Sequence, residues 1–410
     1  MNLLCISNGH GEDAIALRIL SALRQQNPDV NLAALPISGA GHAYEQADIR
    51  VIAQAKTLPS GGFLNRDLSQ LVRDLGGGLV GLTVSQLSAI KTWAKTSAAG
   101  SSHILAVGDI VPLLFAYYSG LPYSFLGTAK SEYWLRDESG KHPPSQLWNR
   151  LEGWSGSVYL PWERWLMSRR RCRNIFVRDQ LSATHLSKLG LPAQYAGNPM
   201  MDGLSPSGRL PTLENKNPPA LTILLLPGSR PPEAYENWNR IVATLPGLMN
   251  AFPDRSLVLL GAIAPNLSQQ TLLSSLPAEW TANNHQPGNQ YKNATLILSS
   301  AYNDCLHKAD IAIATAGTAT EQFVGLGKPA ITLPGNGPQF TKAFAIVQAK
   351  MLGPSIQIVE DVDAVGSAIA RTLNNSQRLQ QIRQNGKHRM GEPGASKRIA
   401  AKLLETMNDE

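Results

Sequence analysis

Twice along this chain, short apolar runs stop at glycine-containing turns and give way to helical patterns, and that rhythm narrows the fold more than anything else. In the first half, residues 3–7 read as a strand and 13–26 as an amphipathic helix. Asn31–Pro36 follows as a strand, and 103–107 and 123–126 repeat the signal around a helix near 112–119. Strands that alternate with helices predict a parallel sheet covered on both faces. The rhythm breaks over residues 198–219, where Pro199, Gly203, Pro206, Gly208, Pro211, Pro218 and Pro219 crowd together as in a linker. It then restarts with Leu221–Leu226, a helix over 235–249, a strand over 256–260, and Ile311–Ala314 and 330–333 flanking a helix over Thr318–Gly325. A final helix is expected over 395–407. Two similar α/β halves joined by one linker place a ligand in a cleft between them, outside the carboxyl ends of the strands.

The strand ends of the second half carry the strongest chemical signal. Residues 221–226 run into Pro227, Gly228, Ser229 and Arg230. The glycine admits a ligand close to the backbone, the serine offers a donor and the arginine pairs with phosphate oxygens. A plain strand-to-helix turn with a solvent-facing arginine is the alternative. Ile311–Ala314 likewise runs into Thr315, Ala316, Gly317, Thr318, Ala319 and, one turn into a helix, Glu321. Free N–H groups and the dipole at that helix start favour a phosphate, and Glu321 is placed to accept from ribose hydroxyls. A cap with a favourable first-turn acid is the competing reading. A third loop, 333–340, offers Gln339 and Phe340 to a base or sugar and leads to Lys342, although a simple Gly/Pro turn explains it as well.

In the first half, Asn8, Gly9, His10 and Gly11 join the first strand to the first helix. The lysine of a Walker loop is missing, as is dinucleotide glycine spacing. The glycines still let a substrate approach the amides, and His10 is a candidate base unless it caps the turn. The other candidate base is Asp109, just beyond residues 103–107. A carboxylate there is partly desolvated and holds its proton more tightly; helix capping is its alternative role.

A net charge of +7 on 410 residues points to an anionic partner. Three scattered cysteines, Cys5, Cys172 and Cys305, fit neither a metal site nor a disulfide framework and suggest a reducing compartment. No acidic cluster calls for a metal. No apolar run reaches the length of a membrane span, and no basic leader opens the chain, so a cytoplasmic protein is expected. Between Trp148 and Arg178, Trp148, Trp154, Trp162 and Trp165 alternate with Arg150, Arg164, Arg169, Arg170, Arg171 and Arg173. That mixture suits contact with the inner surface of a membrane or the mouth of a lipid-acceptor site; core tryptophans beside a solvated basic face are the alternative. No nucleic-acid module is visible.

Four blocks in order resemble the lipid-A-disaccharide synthase family, and its divergent related branch most. They are the glycine-rich turn ending in Asp13, Gly197-Asn198-Pro199-Met200-Met201-Asp202, Leu225-Leu226-Pro227-Gly228-Ser229-Arg230, and Ala316-Gly317-Thr318-Ala319-Thr320-Glu321. The resemblance implies a GT-B fold with two Rossmann-like domains: an acceptor-binding domain over 1–203, a linker over 204–219, a nucleotide-sugar domain over 220–390 and a helix over 391–410 returning to the first. It also implies inverting, metal-independent transfer from a UDP-sugar to a lipid-like acceptor, with no further cofactor. The family's donor-site arginine falls on Arg230, its acidic nucleotide contact on Glu321 and its catalytic aspartate on Asp109. Gly9-His10-Gly11-Glu12-Asp13 and Val111-Pro112-Leu113 depart from the family pattern in the acceptor half, so the acceptor stays open. A UDP-sugar 2-epimerase and a non-catalytic nucleotide- or lipid-binding scaffold are the rival readings.

Overall fold

The computed structural model describes residues 1–39, 41–53, 79–97, 102–141, 154–211, 219–282, 287–335, 337 and 340–409, without the side chains of His10 and 79–82. The chain divides into two compact units, Met1–Asp202 with Glu392–Glu410, and Gly203–Gly391.

The first unit is built on seven strands: β1 (Asn2–Ser7), β2 (Asn31–Pro36), β3 (Arg50–Val51), β4 (Ser102–Gly108), β5 (Tyr123–Gly127), β6 (Cys172–Val177) and β7 (Ala193–Gln194). They lie in the order β3-β2-β1-β4-β5-β6-β7, every pair parallel. β4 is buried along its whole length and β1 from Leu3 onward, as the continuous apolar runs require of a sheet covered on both faces. The covering helices include α1 (His10–Gln26), α2 (Leu79–Thr96), α3 (Ile110–Ser119), α4 (Pro161–Met167) and α5 (Gln180–Lys188). Helix α1 starts three residues before the sequence suggests, which brings Glu12 and Asp13 into its first turn.

The second unit repeats the plan with β8 (Leu221–Leu226), β9 (Leu257–Ala262), β10 (Thr281–Ala282), β11 (Asn289–Tyr291), β12 (Ala294–Ser299), β13 (Ile311–Ala314), β14 (Ala330–Thr332) and β15 (Ile356–Ile358). Their order is β10-β11-β12-β9-β8-β13-β14-β15, parallel except for the β10-β11-β12 edge. Helices α6 (Glu233–Ala251), α7 (Tyr302–Lys308), α8 (Thr318–Gly325), α9 (Lys342–Leu352) and α10 (Ser376–Met390) are among those flanking it. The core joins Ile223, Leu225, Leu259 and Ile313 to Trp238 and Ile241 of α6. In each sheet the strand order reverses beside the first strand, at β1/β4 and at β8/β13, and ligands of doubly wound folds sit at such points.

The last helix, α11 (Ala395–Asn408), belongs to the first unit and packs on α1 with Ile399, Leu403 and Met407 buried. Its start is held by Asp202, whose carboxylate accepts from Gly394 N at 2.5 Å and Ser396 N at 2.7 Å. The proline- and glycine-rich stretch does not begin as a free linker. Residues 203–209 lie on α7: Asp304 accepts from Ser207 N and Oγ, Gly208 N and Arg209 N at 2.6 to 3.0 Å, and Asn303 donates to Gly203 O and Ser205 O. Those bonds, the Ser207 hydroxyl foremost, pull the Asp304 carboxyl down to about 2. Composition marks where helix and strand stop, but a short acid one turn into a helix can still satisfy such a segment's backbone. Residues 212–218, the rest of the expected linker, lie outside the described residues.

Candidate functional site

In the second unit, β8 and β13 pair in register up to Leu226 and Ala314, so the loops that follow leave neighbouring strands at the same edge. Gly228 has φ +98°, and a Cβ there would meet only Thr315 O, at 3.7 Å; the glycine serves a left-handed turn lying against the second loop. Thr315 N donates back to Leu226 O at 2.9 Å. Ser229 is exposed, and its carbonyl accepts from Asn266 at 2.7 Å. Arg230 is half-buried, and its guanidinium has no hydrogen bond or ion pair among the described residues.

Gly317 caps α8. Its carbonyl accepts from Thr320 N and Glu321 N, while the N–H groups of Gly317, Thr318 and Ala319 have no partner among the described residues. Gln348 of α9 donates from behind to Ala316 O at 3.3 Å and Gly317 O at 3.1 Å, fixing those carbonyls. A carbonyl held on one side of the loop leaves the amides to the other, as an anion cradle needs. Glu321 is buried in the first turn of α8.

Three residues that the sequence did not single out organise these loops. Asn237 of α6 is 4% exposed and donates to Pro227 O at 3.2 Å and Thr315 O at 3.5 Å, and its Oδ1 is 3.1 Å from where a Cβ on Gly335 would lie. One buried amide thus touches all three strand-end loops. Glu233 accepts from Phe340 N at 2.7 Å, and Gly337 packs so closely on its carboxylate that no side chain fits there. Gln348 is the third. All three lie on helices, 10, 107 and 31 residues from the loop residue they bind, where hydrophobic patterning registers only a polar residue facing inward. Gln339 lies outside the described residues. Phe340 is not a ligand-facing aromatic: it is 4% exposed and stacks on Phe344, rings 5.4 Å apart. Phe344 is the partly exposed ring, 3.5 Å from a Cβ built on Gly317. Lys342 is exposed and pairs with Glu360 at 2.6 Å.

In the first unit, Asn8 and Gly9 follow β1, and Asp109 follows β4 one strand away. Gly108 has φ +134° and a Cβ there would lie 3.0 Å from Asn8 Cβ, so glycine permits this close approach. Asp109 caps α3 by accepting from Val111 N at 2.9 Å, and burial, foremost, raises its proton affinity against the bonds from Val111 and Asn8 and the nearby Lys130. The capping and ionisable roles therefore coexist. Lys130 itself meets Glu163 at 2.5 Å. The first turn of α1 adds two acids. Burial pushes Glu12 up to about 7, with Asp109 and Asp13 adding to the effect and its own backbone N–H and the Thr128 hydroxyl, 3.3 Å away, opposing it. Burial likewise lifts Asp13 to about 6 against hydrogen bonds from Ser7, at 2.6 Å, and Tyr44. Glu12 is the group that sequence reading passed over; two consecutive acids straight after a buried strand were the available signal. The His10 side chain lies outside the described residues, and a Cβ on Gly11 would meet nothing within 4 Å.

The tryptophan-arginine stretch separates into two kinds of residue. Trp154, Trp162 and Trp165 are exposed, as are Leu114 and Tyr118 of α3, and Arg169 stacks over Trp165 at 4.3 Å. Arg171 and Arg178 do not face solvent in the same way: the first binds Tyr117 O and Leu121 O, and the second is buried and donates to Thr128 O at 3.1 Å. Trp148 and Arg150 lie outside the described residues. Among the described residues no helix is long and apolar enough to cross a membrane.

The chain matches no protein-family model and no curated protein. It is similar in structure to the calicheamicin glycosyltransferase CalG4, with TM-score 0.61 and 14% identity over 99% of this chain and 98% of that one. Similar too is UDP-GlcNAc 2-epimerase from Neisseria meningitidis, solved with UDP-GlcNAc bound, with TM-score 0.57 and 15% identity over 99% and 100%. MurG from Acinetobacter baumannii gives TM-score 0.56 and 15% identity over 98% and 99%. Two Rossmann-like sheets, full-length likeness to such proteins and a last helix that returns to the first unit make this a GT-B fold.

Proposed function

We propose that this protein is a glycosyltransferase that moves a sugar from a UDP-sugar to a lipid-like hydroxyl acceptor with inversion, akin to the lipid-A-disaccharide synthases. One observation carries the reading: the unpaired guanidinium of Arg230 and the free amides of Gly317, Thr318 and Ala319 follow adjacent, register-paired strands. Arginine and a helix start are complementary to a diphosphate, and they stabilise it most as charge grows on the departing oxygen. In this scheme the acceptor O–H gives its proton to Asp109, the new C–O bond forms at the anomeric carbon, and the sugar–phosphate bond breaks with its electron pair leaving on UDP. Arg230 and the helix dipole supply the positive charge, so the transfer needs neither metal nor further cofactor. Glu321 serves the ribose, and the exposed tryptophans with Arg169 and Arg170 rest the first unit on the inner face of a membrane, where the acceptor is found.

A thermal-shift screen with UDP-, GDP- and dTDP-sugars tests the donor. A ligand that binds only the folded state raises the melting temperature, so UDP-sugars should stabilise and the others should not. No shift with any UDP-sugar refutes the reading. The epimerase alternative is favoured by the likeness to 2-epimerases. Incubation with UDP-N-acetylglucosamine and no acceptor separates the two, because an epimerase changes the sugar and a transferase leaves it intact.

A further inference from the structure

Three acids gather where β1 and β4 end, and they are satisfied very unequally. Asp13 accepts from the Ser7 hydroxyl, which is itself joined to Tyr44 OH at 2.6 Å. Asp109 has Val111 N and the Asn8 side chain, and Lys130 is the cation acting on it. Glu12 is 7% exposed, and among the described residues the only side chain that hydrogen-bonds it is Thr128, at a long 3.3 Å, beside its own backbone N–H. No cation pairs with Glu12 among the described residues, since Lys130 Nζ is taken by Glu163. Close carboxylates in such a place do not both ionise; the less supported one keeps its proton. Beside them Asn8 is 3% exposed, and its Oδ1 has no hydrogen-bond partner among the described residues. A buried acceptor oxygen left this way is expensive unless something arrives to donate to it.

We propose that Glu12 works as a neutral carboxylic acid, donating a hydrogen bond to an oxygen of a hydroxyl-bearing ligand whose O–H groups are accepted by Asn8 Oδ1 and Asp109. The set then reads donor, acceptor, acceptor, which complements two neighbouring hydroxyls and repels an anion. Thr128 bonds Oε1 of Glu12 and the residue's own backbone N–H also donates to the carboxyl, so the O–H of a protonated Glu12 is the group left for the ligand. Burial foremost, then Asp109 from the end of β4 and Asp13 from its own helix, favours the protonated form, while the residue's own backbone N–H and, more weakly, the Thr128 hydroxyl oppose it. This deepens the proposed transferase by naming what the first unit holds beside the base, and it rests on that reading only for the ligand being the acceptor.

The test is carbon NMR of full-length protein labelled at glutamate Cδ, titrated from pH 5 to 9. One glutamate should titrate near 7, be missing from Glu12→Gln, and shift when octyl β-D-glucoside is added at pH 6. Its midpoint should fall by about one pH unit in Asp109→Asn, which removes the neighbouring charge. Thr128→Val, which removes the opposing bond, should raise it and gives a second variant if Asp109→Asn does not fold. Every glutamate titrating below about 5, or a Glu12 resonance that ignores the glucoside, overturns the proposal. UDP binding followed by calorimetry on the same sample keeps the two ideas apart: bound UDP with a silent Glu12 sinks this inference alone, and a responsive Glu12 without UDP binding sinks the donor reading alone.

Discussion

Asn237→Leu is the perturbation that most sharply tests whether the strand-end loops of the second unit act together. Leucine keeps the branched shape of the side chain and removes the amide that reaches Pro227 O at 3.2 Å and Thr315 O at 3.5 Å. An ordinary buried hydrogen bond contributes about 0.5–1.5 kcal/mol net, and these two are long, so the pair is worth about 1–2 kcal/mol. For a unit of this size each kcal/mol moves the melting temperature by roughly 2–4 °C, which gives a fall of about 2–8 °C. If the same amide also sets the spacing between Arg230 and the start of α8, UDP affinity should drop by about fivefold to tenfold, since 1.4 kcal/mol is tenfold. Differential scanning calorimetry reads the first effect and isothermal titration with UDP the second. A clear loss of stability with unchanged UDP affinity refutes the coupling of the loops. An unchanged melting temperature refutes the hydrogen bonds themselves.

Other consequences follow from named contacts. Glu12 and Asp13 have folded-state proton affinities above the ordinary carboxyl range, so the stability they contribute is complete below about pH 4 and is lost as pH rises through about 6 and about 7. Urea midpoints should therefore fall between pH 5 and pH 8 for the first unit, and Asp13→Asn should flatten that slope; a rise would contradict the burial assigned to them. Asp202→Ala removes the acceptor for Gly394 N and Ser396 N and should cost about 1 kcal/mol, as loss of a helix cap does, with faster amide exchange at the start of α11. Trp162→Ser with Trp165→Ser should cut sedimentation with vesicles containing anionic lipid, with a small fall in melting temperature because each ring is only about half exposed and Trp165 also lies edge-on to Tyr117. Unchanged sedimentation would remove the membrane contact from the account.

The sheets were legible because burial on both faces leaves no freedom of pattern: Leu221–Leu226 and Ile311–Ala314 read directly as the central pair β8 and β13. Strand ends in glycine and arginine were legible for a related reason, since the departure from apolar character is abrupt there. What holds those ends was not. Asn237, Glu233 and Gln348 act across the fold from helix positions, and a polar residue facing inward has no local signature of what it will meet. Phe340 shows the converse. Its neighbours are loop residues, yet its ring is covered, while Phe344 two positions into α9 is the exposed one. Asp304 corrects the linker in the same way, by supplying from α7 the acceptors that a Pro/Gly-rich segment otherwise finds in water. In the first unit, Asp109 was found by its position after β4, but the division of protons among Asp109, Glu12 and Asp13 depends on three-dimensional burial.

The most direct measurement is calorimetric titration of wild type and Arg230→Ala with UDP and with UMP. If Arg230 and the amides at Gly317 grip a diphosphate, wild type binds UDP, and the variant loses roughly tenfold to a hundredfold, the worth of charge-assisted hydrogen bonds at about 1.5–3 kcal/mol, while UMP binding changes little. Equal UDP affinity in the two proteins, or an equal loss for UMP and UDP, would contradict it.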